Sequence, residues 1–215
     1  IRNFINQKID DQIAVAKSGN PALIRMKMNS LSDKQIIARL YDAAANGVKV
    51  QLLVRGITCL RNDLPELHNN IEVHSIVGRF LEHSRIYYFE SNGHEEIYLA
   101  SADMMTRNLN RRVEELYPVT QADTKARAIQ IFDIMWRDNV KTRVLEGDHY
   151  ERLDRDGAAP FNSQEYFVQE AVRLNKQDNK QQKARRHFPN VFGTLSKHVP
   201  SLHLKEKDDT NGKDD

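Results

Sequence analysis

The chain is short of several things, and each shortage removes a class of protein. Its one cysteine, Cys59, excludes an internal disulfide framework and fits a reducing compartment. No apolar run approaches the roughly 20 residues that cross a bilayer, and no signal-peptide pattern opens the chain. An initiator methionine is lacking too: Ile1 already stands inside a helical pattern, so we expect a piece of a longer polypeptide. The most telling shortage is of lysine. None occurs between Gln51 and Thr124, where the cations are Arg55, Arg61, Arg79, Arg85, Arg107, Arg111 and Arg112. Arginine offers a planar bidentate fork for phosphate oxygens, whereas lysine is a point charge. The plainer reading, which suits Arg61 and Arg79, is surface pairing with carboxylates such as Glu72, Glu82, Glu90 and Asp103.

What is present is an ordinary globular composition. Apolar residues make up 40% and charged residues 29% of 215, enough for one moderate domain with appendages. Ile1, Phe4, Ile5, Ile9, Ile13 and Ala16 recur at helical spacing over 1–18, with a stop at Ser18-Gly19-Asn20-Pro21. A strand over 22–29, a helix capped by Ser32 or Asp33 and closed by Asn46-Gly47, and a strand over 48–55 make a βαβ unit with two parallel strands. Further strands are expected over 71–77, from His83 onward, over 96–101 after a Ser91-Asn92-Gly93-His94 hairpin turn, and over 113–119. Residues 104–112 read as a loop or short helix. Asp123 should cap a helix ending at Trp136, an expected core residue; 140–145 makes a small strand with Tyr150–Leu153 in its loop, and 163–175 a last helix. The predicted class is α/β, a mixed sheet flanked by helices, with domain limits at 1–155, a helical extension over 156–176 and a polar, disordered tail over 177–215.

The chain is organised around Gly78-Arg79-Phe80-Leu81-Glu82-His83-Ser84-Arg85-Ile86-Tyr87-Tyr88-Phe89-Glu90. If the apolar run is a strand beginning at His83, then His83 and Arg85 point to one face. A proton-transfer group beside a fixed cation suits phosphate chemistry, although a His-x-Arg pair by itself is common by chance. Ligands of open α/β sheets collect at the carboxyl ends of parallel strands, which brings in Arg55, with Gly56 beside it allowing close approach to the backbone.

His83-x-Arg85 followed by Asn108 resembles half of a phospholipase D-type site, with arginine where that pattern has lysine. Several further blocks together resemble polyphosphate kinase over about residues 1–150. They are Met26-Lys27-Met28-Asn29-Ser30-Leu31, Leu53-Val54-Arg55-Gly56-Ile57, the stretch from Ser75 to Ile86, Ser101-Ala102-Asp103, Arg107-Asn108-Leu109 and Arg111-Arg112-Val113-Glu114. The resemblance is to the phospholipase D-like carboxyl-terminal catalytic domain of that family. It implies reversible transfer of the terminal phosphate of ATP to inorganic polyphosphate through a phosphohistidine on a preceding domain, with ATP or ADP as substrate and Mg²⁺ liganded outside these residues. By that resemblance His83 is the catalytic candidate, and Arg55, His83 and Arg85 are the ATP and phosphate ligands. Arg107, Asn108, Arg111 and Arg112 are candidates for the polyphosphate path, with pairing of Arg111 and Arg112 to Glu114 and Glu115 as the alternative. No metal ligand is expected here: Asp103 reads as a loop-capping carboxylate.

His74, His94 and His149 lack a partner at the right spacing, and His203-x-Lys205 lies in the polar tail. The partners implied are ATP, polyphosphate, the preceding domain and a homo-oligomer, without nucleic acid. The location implied is cytoplasmic, with room for peripheral contact at the inner membrane face. Two rivals stand beside this: a phosphodiesterase or nuclease half-site needing no ATP, and a polyanion-binding module without turnover.

Overall fold

The apolar run of β1 (Ala22–Met28) lies at the centre of the molecule, between β2 (Lys49–Val54) on one side and β4 (Ile86–Ser91) on the other. Strands buried on both faces are near-continuous in apolar residues, and Ile24, Met26, Met28, Val50, Leu52 and Val54 are all almost without exposure. The computed structural model describes residues 1–154 and 156–186. The chain divides into two units, Ile1–Gln169 and Glu170–Asp215.

The first unit carries one eight-stranded mixed sheet. With β3 (Ile71–Ile76), β5 (His94–Ala100), β6 (Leu116–Pro118), β7 (Thr142–Glu146) and β8 (His149–Arg152), the order is β6-β5-β4-β1-β2-β3-β7-β8. The β1–β2 and β2–β3 pairings are parallel, and all the others are antiparallel. The expected βαβ unit is present, with α2 (Lys34–Ala45) as its helix. Asp33 caps that helix by accepting from the Gln35 and Ile36 amides, worth about 1 kcal/mol. On one face α1 (Arg2–Lys17) and α2 cover Ile24, Met26, Leu52, Tyr87 and Phe89. On the other, α4 (Ala122–Trp136) sets Phe132 and Met135 on Leu53 and Ile76, and Ala128 beside Ile86, Tyr88 and Ile97.

Asn92 and Gly93, at φ 47° and 83°, make the two-residue turn between β4 and β5, the left-handed pair that matches strand twist. Four expectations need correction. The strand from His83 begins only at Ile86, so His83 and Arg85 lie on a loop and strand alternation does not align them. Asp123 sits in the first turn of α4, whose N-cap is Gln121. Tyr150–Arg152, part of the expected Tyr150–Leu153 loop, pair with β7 in a strand that starts at His149, across a Gly147-Asp148 turn that uses Gly147 at φ 66°. Helix α5 (Ser163–Arg186) runs past 175; the rest of the expected tail, His203-x-Lys205 included, lies outside the described residues. Trp136 is half-buried and stacks on His74 with ring centroids 3.9 Å apart.

Candidate functional site

The parallel strands β1, β2 and β3 end together, and β4 starts where they end, because Lys27 pairs with Ile86. The loop after β5 returns to the same end. Leu31 ties these loops by backbone bonds: its amide donates to the Ile57 carbonyl (2.8 Å) and its carbonyl accepts from Cys59 (2.9 Å). The neighbouring Ser32 and Asp33 amides donate to the Met104 carbonyl at 2.9 and 3.0 Å. Gly56 serves this lacing. A Cβ there would stand 2.9 Å from the Asn29 carbonyl oxygen, which the Gly56 amide already meets at 2.8 Å.

At the centre is Asp103, buried and acting as a hub. Its Oδ1 accepts from the Asn29 amide (2.8 Å) and from Arg85 Nε (3.1 Å), and its Oδ2 from Arg85 Nη2 (3.2 Å). Burial by itself raises a carboxyl pKa, but Arg85 and Asn29 outweigh it here and hold Asp103 below the ordinary carboxylate value. The Asn29 side chain accepts from Arg55 Nε at 3.1 Å, so Arg55, Asn29, Asp103 and Arg85 form one chain of contacts.

Arg85 extends that chain to His83. Its Nη1 donates to the His83 carbonyl (2.9 Å) and lies 3.1 Å from Nδ1, while Nη2 lies 3.3 Å from Nε2. Guanidinium only donates, and a neutral imidazole has one acceptor nitrogen, so one of the two ring contacts is a hydrogen bond at a time. The His83 ring is exposed. Arg85 thus spends its donors on Asp103 and His83, whereas the two terminal nitrogens of Arg55 have no hydrogen bond among the described residues.

Sequence reasoning missed Lys27. It is 3% exposed and donates to the Ser84 carbonyl at 3.0 Å. Burial pushes its ammonium down to about 8, with Arg55 and Arg85 adding to the fall and Glu82 and Asp103 opposing it. A lysine set between Met26 and Met28 in a central strand was the available signal, since a buried ammonium is costly unless it is used.

The remaining candidates lie on α3 (Thr106–Arg111) and just after it. Asn108 is buried and donates to Glu114 (2.7 Å), whose other oxygen accepts from Ser101. Arg107, Arg111 and Arg112 are exposed. Among the described residues none of them makes an ion pair, so the alternative pairing of Arg111 and Arg112 with Glu114 and Glu115 is not formed. Arg61 does pair with Asp63, while Arg79 lies over the Phe80 ring at 5.3 Å. No group of three or more His, Cys, Asp or Glu side chains among the described residues is placed to hold a metal ion.

Fold and site together define an α/β domain that gathers guanidinium, ammonium and imidazole groups at the carboxyl ends of parallel strands, an arrangement for anionic ligands. The model of the family "Polyphosphate kinase C-terminal domain 2" matches residues 1–164, and the chain belongs to that family. It is 57% identical over 180 residues to the polyphosphate kinase of Lactiplantibacillus plantarum, covering 83% of this chain and 25% of the relative. With that of Staphylococcus haemolyticus it shares 47% over 178 residues, covering 82% and 24%. The crystal structure of polyphosphate kinase from Porphyromonas gingivalis superposes with a TM-score of 0.76 at 34% identity, over 82% of this chain and 27% of that one. The chain therefore spans about a quarter of the length of the relatives it matches.

Proposed function

We propose that this chain is the carboxyl-terminal catalytic part of a polyphosphate kinase, which moves the terminal phosphate of ATP reversibly to inorganic polyphosphate. In this reading a preceding domain supplies the histidine that becomes phosphorylated. The observation that carries the proposal is the placement of His83, Arg85 and Arg55 around the Asp103–Asn29 hub in a member of this family. Phosphoryl transfer needs positioning and stabilisation of charge on the equatorial oxygens more than covalent work from the protein. Arg55, with its terminal nitrogens free, takes the nucleotide phosphates. His83 faces the transferring group and stabilises it or protonates the leaving oxygen. Arg85 adds positive charge and holds the His83 ring and carbonyl, and Lys27 adds charge from beneath. The exposed Arg107, Arg111 and Arg112, with Asn108 as their anchor in the loop, line the path of the polyanion.

Mg²⁺ accompanies ATP in this reading, but the residues at the cluster do not fit a resident ion. Both oxygens of Asp103 are engaged by Arg85, and Oδ1 by Asn29 as well. The same reading carries a homo-oligomer, a cytoplasmic location with peripheral contact at the inner membrane face, and no nucleic-acid partner. No helix among the described residues is long and apolar enough to cross a membrane.

The test is ATP-to-polyphosphate synthesis by the full-length protein, wild type against His83→Ala, with phosphohistidine measured alongside. A fall of roughly 100-fold or more in a folded variant is expected from loss of a proton-transfer or charge-stabilising group. Full synthesis by His83→Ala would leave the domain as scaffold and anion binder.

A further inference from the structure

The loop that bears His83, residues 77–85, has no regular secondary structure, and Phe80 and Leu81 are 46% and 69% exposed. Such a segment has no sheet or helix partner to fix it, yet its backbone is held from three directions. Near its carboxyl end Lys27 takes the Ser84 carbonyl and Arg85 the His83 carbonyl. At its amino end the partner comes from 84 residues away: Gln164, 5% exposed, accepts from the Phe80 amide through Oε1 (2.9 Å) and donates to the Phe80 carbonyl through Nε2 (2.8 Å). One side-chain amide thus satisfies both backbone groups of one residue, as a neighbouring strand would. The same Nε2 approaches Glu82 at 3.4 Å.

Gln164 is itself anchored. It sits in the first turn of α5, where Asn162 accepts from the Gln164 and Glu165 amides at 3.1 and 3.2 Å. Asp138, fully buried, takes the Ser163 amide (2.7 Å) and hydroxyl (2.8 Å) on one oxygen and the Val140 and Lys141 amides on the other. Asn139 accepts from the Phe161 amide at 2.7 Å and donates to the Ala159 carbonyl at 2.9 Å. Gly78 records how closely the loop lies on this anchor: a Cβ there would collide with the Gln164 carboxamide.

We propose that Gln164 is a positioning residue for phosphoryl transfer, fixing the loop at Phe80 and so the place of His83, and that the first turn of α5 belongs to the catalytic apparatus. This rests on the reading of His83 given above. In the full-length protein, Gln164→Ala, Gly78→Ala and their double variant are compared with His83→Ala in ATP-to-polyphosphate synthesis, with thermal unfolding of each. Gln164→Ala is expected to lower kcat roughly 10- to 100-fold, the cost of a displacement of about 1 Å. KM for ATP should stay within about threefold, because nucleotide binding depends on Arg55. The unfolding midpoint should move by no more than about 4 °C. Gly78→Ala should lower kcat in the same way, and the double variant should be no worse than Gln164→Ala, since both break one contact.

Wild-type kcat in Gln164→Ala overturns the inference, and so does a double variant whose loss is the product of the two. Should Gln164→Ala fail to fold, Gly78→Ala decides: it keeps Gln164 but pushes it off Phe80, so a fall in kcat at constant KM supports the inference and an unchanged kcat overturns it. Full activity in His83→Ala removes the underlying reading and the inference with it. An inactive His83→Ala beside a fully active Gln164→Ala removes the inference alone.

Discussion

Two arginine–aspartate pairs in this molecule share a geometry and differ in everything around it. Arg61 meets Asp63 through Nε and Nη2 at 3.1 and 2.6 Å; Arg85 meets Asp103 through the same atoms at 3.1 and 3.2 Å. The side chains of the first pair are 54% and 43% exposed, those of the second 11% and 10%. Water competes for the first and salt screens it, so it decorates one loop. The second is largely shielded from water, and it shares Asp103 with Asn29 and Arg85 with His83. Contact lists would rank the two pairs alike. Burial and shared partners make one of them the hub of a site.

Removing Asp103 is the most severe way to break that contrast. Asp103→Ala leaves the largely buried Arg85 guanidinium with its His83 contacts alone and the Asn29 amide without its carboxylate, and should cost about 3 kcal/mol in a denaturant melt. Arg61→Ala, by contrast, should leave the unfolding midpoint unmoved. Next in size is Arg55→Ala: under the proposed function it should lose charge-assisted contacts to phosphate and weaken ATP binding by roughly 10- to 100-fold in calorimetry of the full-length protein. Arg55→Lys should recover little of this, because an ammonium cannot reproduce the fork held by Asn29.

Much of the fold was legible because the signals were local. Apolar-rich runs marked β1, β2 and β3, the Ser32-Asp33 pair announced α2, with Asp33 the cap that forms, and Asn92-Gly93 announced the β4–β5 hairpin. The misses came from interactions distant in sequence. The two-residue spacing of His83 and Arg85 was correct evidence of proximity but gave the wrong cause: they meet through a guanidinium on a loop, not along a strand. Asp103 as a hub depends on Asn29, 74 residues away, and Gln164 on Phe80, 84 away. Neither pairing leaves a local mark. Lys27 did leave one, and β8 left a Gly147-Asp148 turn of a recognised hairpin type that was passed over.

Smaller effects sharpen the comparison through pH. The folded Asp103 carboxyl titrates below the ordinary 3.8, so it adds stability that is present above that value and lost as pH falls through the depressed one. Asp103→Asn should flatten part of the acid limb in pH-dependent unfolding; Asp33, which Arg2, Thr106 and the Ile36 amide hold low against its burial, keeps the rest. Lys27 runs the other way. Its folded value of about 8 lies below the ordinary 10.5, so the unfolded state binds more protons between them and stability rises with pH across that window. In Lys27→Met that rise should disappear. At the small end, Arg111→Ala with Arg112→Ala should lower the salt dependence of polyphosphate binding while leaving ATP binding unchanged, because these side chains face solvent without ion pairs.

The most direct measurement is the structure of the full-length protein with a non-hydrolysable ATP analogue. The terminal phosphate is expected within hydrogen-bonding distance of the His83 ring and of the free nitrogens of Arg55, with Arg85 still on Asp103. Phosphates bound elsewhere, with His83 and Arg55 facing empty solvent, would contradict it.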